Sequence, residues 1–290
     1  MNTCLWLIRR EFWENRAIWM IPAMLGAALI LAALFGRVDV EIVSSDRHRV
    51  NAEMVLIGFG VVFYAVMSLY STWYLLDCLY ADRRDRSVLF WKSLPISDTT
   101  TVLSKLFIAL IAIPLVCFAA VDLASVLVAF IVSLRTRGFL DSALWQPEMW
   151  LALQVLWLYV IVSAAVWYLP LTCWLLVVSA WAKRAVMLWS ILPPLAAILA
   201  ERLFLGTHAV SDLLHNRMSG YFAVAFHAAS QISLGTTSAG SPDTMVAPSG
   251  IWALLDPLGF FSSPSTWAGV LVGATLVFGA IQLRMRRTEP

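Results

Sequence analysis

Polar side chains are scarce in this sequence, so those inside its apolar runs are the first candidates for chemistry. Tyr64, Ser68 and Ser71 recur at i, i+4 and i+7 and so share one face of a helix. Tyr70, Tyr74 and Asp77 make a second polar set in the same run, and Asp122 stands inside the long apolar stretch 102–134. Hydroxyls and a carboxylate so placed either line a wet path for a transported group or tie helices together. The residues alone leave both open. Asp122 has no partner evident in the sequence, and it is expected near the opposite end of a neighbouring helix from Asp77, too far to form a dyad. The motifs of soluble catalysis are missing. There is no GxxxxGK[ST] phosphate loop, no HExxH and no GxSxG, and the only lysines are Lys92, Lys105 and Lys183. His48, His208, His215 and His227 show no metal-ligand spacing. Neither do Cys4, Cys78, Cys117 and Cys173, which read as structural thiols. No catalytic residue and no metal site are expected in this chain.

The elements that must hold these groups are membrane spans. The 290 residues are 61% hydrophobic and 13% charged, with a mean hydropathy of +0.80, whereas a soluble domain carries about 25% charged residues. Apolar content gathered in long runs means several spans, and 14 tryptophans suit bilayer interfaces. A net charge of +2 gives no ground for a nucleic-acid partner. The runs predict an all-α transmembrane domain over 1–290 with six spans, at 18–35, 54–79, 102–134, 150–182, 185–200 and 266–283. At about 1.5 Å per residue the third exceeds a bilayer core of roughly 30 Å, and Pro114 marks a kink in it. Pro170 lies inside the fourth, which is again long. Pro193 and Pro194 break the fifth and free carbonyls that neighbours must satisfy. The stretch 201–265 reads as an external loop, with flexible sequence at SLGTTSAGSPDT. Its two apolar pieces, 221–229 and 251–261, are too short to cross and read as interfacial or re-entrant.

Residues 1–17 read as an interfacial helix. Leu5, Ile8, Phe12 and Trp19 share an apolar face, Arg10, Glu11 and Glu14 lie roughly opposite, and Arg9 and Arg16 flank the face and snorkel. This flank is long and contains acids, so the first span reads as uncleaved. Thirteen of the 20 Lys and Arg residues fall in the N-terminal segment, the stretch through Lys105, the 183–184 turn and the C-terminal RMRR; seven fall in the alternate loops. The positive-inside rule then puts both termini and the stretch 80–106 in the cytoplasm.

That stretch, YADRRDRSVLFWKSLPISDTTTVLSKL, is the most charged in the chain. Asp82, Arg83, Arg84, Asp85 and Arg86 precede a short helical segment, Ser87, Val88, Leu89, Phe90, Trp91, Lys92, Ser93 and Leu94. Pro95 ends it, and Ser97 or Asp98 can cap the next helix. Val88, Trp91 and Leu94 share a face, which makes either a lipid-bound amphipathic helix or a ridge that docks in a partner's groove.

Here the sequence resembles the membrane subunits of ABC-2-type ABC transporters. The resemblance is carried by the mixed-charge cluster Asp82–Arg86, the hydroxyl of Ser87, the apolar segment Val88–Leu94, Leu94-Pro95-Ile96-Ser97, and Lys105 leading into the next span. The N-terminal Arg9-Arg10-Glu11-Phe12-Trp13-Glu14 is similar to the start of such subunits, and the six-span layout fits. The resemblance implies a bacterial inner-membrane permease half, paired with a second copy or a homologous half and bathed in lipid. A separate cytoplasmic P-loop ATPase would carry the ATP and Mg, so this chain needs no cofactor of its own. It would dock on the coupling segment 82–95, supported by the N-terminal helix. Substrate would cross by alternating access, outward in most bacterial members, with Tyr64, Ser68, Ser71 and Asp122 as candidate path residues. The competing class is an ATP-independent carrier using Asp122, or a membrane scaffold.

Overall fold

The computed structural model describes residues 3–36, 45–84, 97–135, 145–226 and 251–286. Among these residues the only regular elements are helices, apart from one isolated antiparallel bridge between Phe226 and Leu255. The helices are α1 (Thr3–Glu14), α2 (Ala17–Phe35), α3 (Ser45–Arg84), α4 (Asp98–Arg135), α5 (Pro147–Trp167), α6 (Leu169–Trp181) and α7 (Val186–Leu205). Shorter α8 (Ala209–Ser219), α9 (Tyr221–Ala225) and α10 (Pro257–Ser262) lead to α11 (Pro264–Arg286). Six are long and apolar enough to cross a membrane: α2, the 55–84 part of α3, α4, α5, α7 and α11. Large apolar side chains stay exposed on them, for example Met24, Leu69, Trp73, Leu123, Leu151 and Leu271. By length and composition these are the helices of a multi-pass membrane protein, whose lipid takes the place of a second packed layer. The stretch expected as one span at 150–182 is two helices. They meet at Tyr168, where Pro170 falls in the first turn of α6 and starts a new helix.

The chain forms two compact units, Met1–Tyr74 with Leu103–Trp157, and Leu75–Val102 with Leu158–Pro290. In the first, α2 packs along α4. Ile18, Pro22 and Gly26, spaced by four, face a stripe on α4 that includes Cys117, Val121, Ala124 and Val128. Leu56, Phe63, Met67 and Tyr74 make the buried stripe of α3. Gly60 on that helix admits the Trp157 ring, which a Cβ would meet at 1.9 Å.

Prolines decide several contacts. Pro114 has no N–H, and the helix widens into one π-turn at Ile108–Ala112 just before it. In that register the carbonyl of Ala109 loses its helical donor, and Ser71 Oγ donates to it at 2.9 Å. Pro194 likewise frees the carbonyl of Ser190, which takes the Trp174 indole N–H at 3.0 Å.

In the second unit α6 packs along α11. The buried face of α11 carries Thr266, Gly269, Gly273 and Ala280; Gly273 lets Leu169 of α6 approach, and Gly269 leaves room for the Arg217 guanidinium. A further core joins Leu76, Val178, Ala182 and Val186. The α6–α7 turn closes through Ala185 at φ +51°, a left-handed conformation in a residue with a Cβ. The two short apolar pieces expected as non-crossing are α9 and the 251–262 segment. Tyr221, Ala225 and Phe260 bury against Trp167, and Tyr159 Oη donates to the carbonyls of Ala225 and Asp256 at 2.8 and 3.2 Å.

Candidate functional site

The chemistry-bearing residues gather at the shoulders of the charged connection and inside one helical cleft. The side chain of Leu5, and Asp85, Arg86, Ser87, Val88, Leu89, Phe90, Trp91, Lys92, Ser93, Leu94 and Pro95, lie outside the described residues. What is described is how the chain enters and leaves that segment.

On one shoulder, in the second unit, α3 ends at Arg84. On the other, Ser97 caps α4: its Oγ accepts the Thr100 N–H at 3.1 Å, which settles the capping residue in favour of Ser97. Asp98 then sits in the first turn, where a carboxylate suits the helix dipole. Arg284, in the last turn of α11, joins the shoulders. Its Nε donates to Asp98 Oδ1 at 2.9 Å and its Nη1 to Asp82 Oδ2 at 3.3 Å. The Arg284 and Asp82 side chains are largely buried and that of Asp98 is partly exposed. Arg83 reaches the carbonyls of Ser179 and Ala182 and so closes the C-terminal end of α6. Ser179 Oγ accepts the N–H groups of Leu79 and Tyr80, both at 3.1 Å. Arg84 lies over the Tyr80 ring.

In the first unit a second polar cluster ties α1 to the helices on either side of the connection. Glu11, 4% exposed, accepts Lys105 Nζ at 2.9 Å, Tyr74 Oη at 3.0 Å and Asn15 Nδ2 at 3.2 Å. Lys105 is 3% exposed. A buried ion pair is costly to desolvate, and the two further donors, both on Glu11 Oε2, compensate it. This corrects the expected faces of α1. The buried positions are Leu7 and Glu11, one turn apart, with Ile8 and Phe12 half-buried beside them. Trp6 and Trp13 are exposed, Arg9 lies over the Trp6 ring, and Arg10 pairs with Glu14 at 2.6 Å on the surface. Glu11 looks surface-bound in the sequence because Lys105, its ion partner, is 94 residues away.

The path candidates, also in the first unit, are mostly engaged by protein. Ser68 Oγ donates to the Ala65 carbonyl in its own helix, and Ser71 serves Ala109. Tyr64 stacks on Trp157 with centroids 4.8 Å apart, and its buried hydroxyl has no partner among the described residues. Asp122 does have a partner: Gln154 Nε2 donates to its Oδ1. The lone amide in the apolar run of α5 is the sequence signal for this pair. Arg284 carried a weaker signal, since a basic residue after a span reads first as a topology marker.

Among the described residues no group of three or more His, Cys, Asp or Glu side chains could hold a metal ion, and Cys78, Cys117 and Cys173 are buried free thiols. No family model, curated protein or solved structure matches the chain.

Proposed function

We propose that this chain is the membrane-spanning subunit of an ABC-2-type ABC transporter. It moves substrate outward across a bacterial cytoplasmic membrane, with both termini inside. A separate P-loop ATPase, carrying ATP and Mg, docks on the 82–95 segment, and a second permease half completes the pathway. The observation that carries this reading is the joint hold of Arg284 on Asp82 and Asp98. A segment meant to transmit a partner's push needs firm shoulders on the helices it moves, and both shoulders here share one buried cation. The tie from Glu11 to Lys105 supports it, because it links the N-terminal helix to the helix that leaves the same segment.

Expressed with a P-loop ATPase encoded beside its gene, the chain should co-purify with that ATPase and support ATP hydrolysis. The chain alone should hydrolyse none. Hydrolysis by the isolated chain would refute the assignment.

A second reading is favoured by one observation, the Asp122–Gln154 pair inside a spanning helix. An ATP-independent carrier would use that carboxylate, and its transport would follow a proton gradient and stop in Asp122→Asn.

A further inference from the structure

We propose that Asp122 and its neighbours form a binding site for the ammonium head of a primary amine. The proposal concerns the first unit alone and does not depend on an ATPase partner. Asp122 lies on α4 about 20 Å from Arg135 and about 25 Å from Lys105 by helical rise, deep within the apolar length of the helix. Its one partner among the described residues is the neutral amide of Gln154, and none of them sets a cation against it. A carboxylate so placed is expensive unless something positive joins it.

The surroundings supply the rest of a cation site. Asp122, Ser125 and Gln154 line a small cleft of about 10 Å³ with Trp150, Trp157 and Phe118. That is about the room one water-sized group requires, and an –NH3+ group is of that size. Gln154 uses its amide N–H on Asp122, which leaves its carbonyl oxygen as an acceptor. With the second carboxylate oxygen and the Ser125 hydroxyl, the lining residues carry three acceptors, the number that an ammonium's three N–H donors can use. The lining includes the indoles of Trp150 and Trp157, a ring type that attracts cations. A bare metal cation asks for a fuller oxygen shell than this lining holds. The backing is rigid: Trp157 is fixed between Gly60 and the Tyr64 ring. The site therefore selects an ammonium group carried on an apolar tail, either a free alkylamine or an amine-headed lipid.

The test uses the full chain. Thermal unfolding is followed in detergent with n-butylammonium chloride against sodium chloride at equal ionic strength. It is then followed in phosphatidylglycerol nanodiscs with and without phosphatidylethanolamine. Stabilisation by butylammonium that is lost in Asp122→Asn supports a free-amine ligand. Stabilisation only by phosphatidylethanolamine, again lost in Asp122→Asn, supports a lipid ligand. Binding should weaken by about tenfold or more in that variant, the loss expected of one charge-assisted hydrogen bond. Should Asp122→Asn fail to fold, Trp150→Leu, which removes an aromatic wall, should weaken binding in the same assay. No stabilisation of the wild type in either arm, or equal stabilisation of wild type and variants, overturns the proposal. ATPase coupling plays no part in these readouts, so their failure leaves the transporter reading to its own test.

Discussion

Glu11 and Lys105 show how a single residue's environment can invert its reading. In sequence Glu11 belongs to the polar side of an amphipathic helix. In the fold it is buried with a cation and two further donors. Removing Lys105 leaves the Glu11 carboxylate buried without its cation. Lys105→Met should therefore cost about 3–5 kcal/mol of stability. Glu11→Leu combined with Lys105→Met should recover most of that loss, because no stranded charge remains. Denaturant or thermal unfolding in one detergent measures both, and a double variant as unstable as the single would contradict it. The pair was invisible in the sequence because nothing local links positions so far apart. Asp122 and Gln154 were half visible, since two polar groups in apolar runs ask for partners but do not name them.

At the scale of elements, proline chemistry was legible only in part: Pro193 and Pro194, expected to break the fifth span, lie inside the continuous α7, where Trp174 serves a freed carbonyl. Pro114 predicted an irregular turn in the long third span, and a π-turn stands immediately before it. That Ser71 repairs the freed Ala109 carbonyl depends on how α3 and α4 meet. Ser71→Ala should cost about 1–2 kcal/mol, the range for a buried carbonyl left without a donor. In a Pro114→Ala background, where the helix regains its N–H, the same change should cost much less. Equal costs in both backgrounds would show that the hydroxyl does not serve the proline's carbonyl. The Ala185 turn offers a test of opposite sign. A left-handed alanine carries about 1–2 kcal/mol of strain, of which glycine's extra chain entropy cancels roughly 0.5–1 kcal/mol. Ala185→Gly should therefore stabilise the protein by about 0.5–1 kcal/mol in thermal unfolding; a destabilised variant would contradict the strain. The small-residue face of α11 was missed because Gly269 and Gly273 lie among larger apolar residues that mask the pattern. The break at Tyr168 was missed because both sides of it are equally apolar.

For the whole molecule, composition and run length were enough to give an all-α protein with six helices fit to span a membrane. They do not give the partner, because docking and coupling depend on residues whose meaning lies in another chain. Under the proposed function the charged connection transmits the action of an ATPase. Its shoulders are held by Arg284 through Asp82 and Asp98, and the apolar run expected to dock includes Leu89 and Trp91. The most direct measurement is ATP hydrolysis and partner pull-down for the chain co-expressed with a P-loop ATPase encoded beside it, compared with Trp91→Asp and Leu89→Asp. A buried charge without a partner costs several kcal/mol, so each variant should reduce pull-down and stimulated hydrolysis by about tenfold or more while the chain still inserts and folds. Pull-down and hydrolysis unchanged in both variants would contradict the coupling role of this segment.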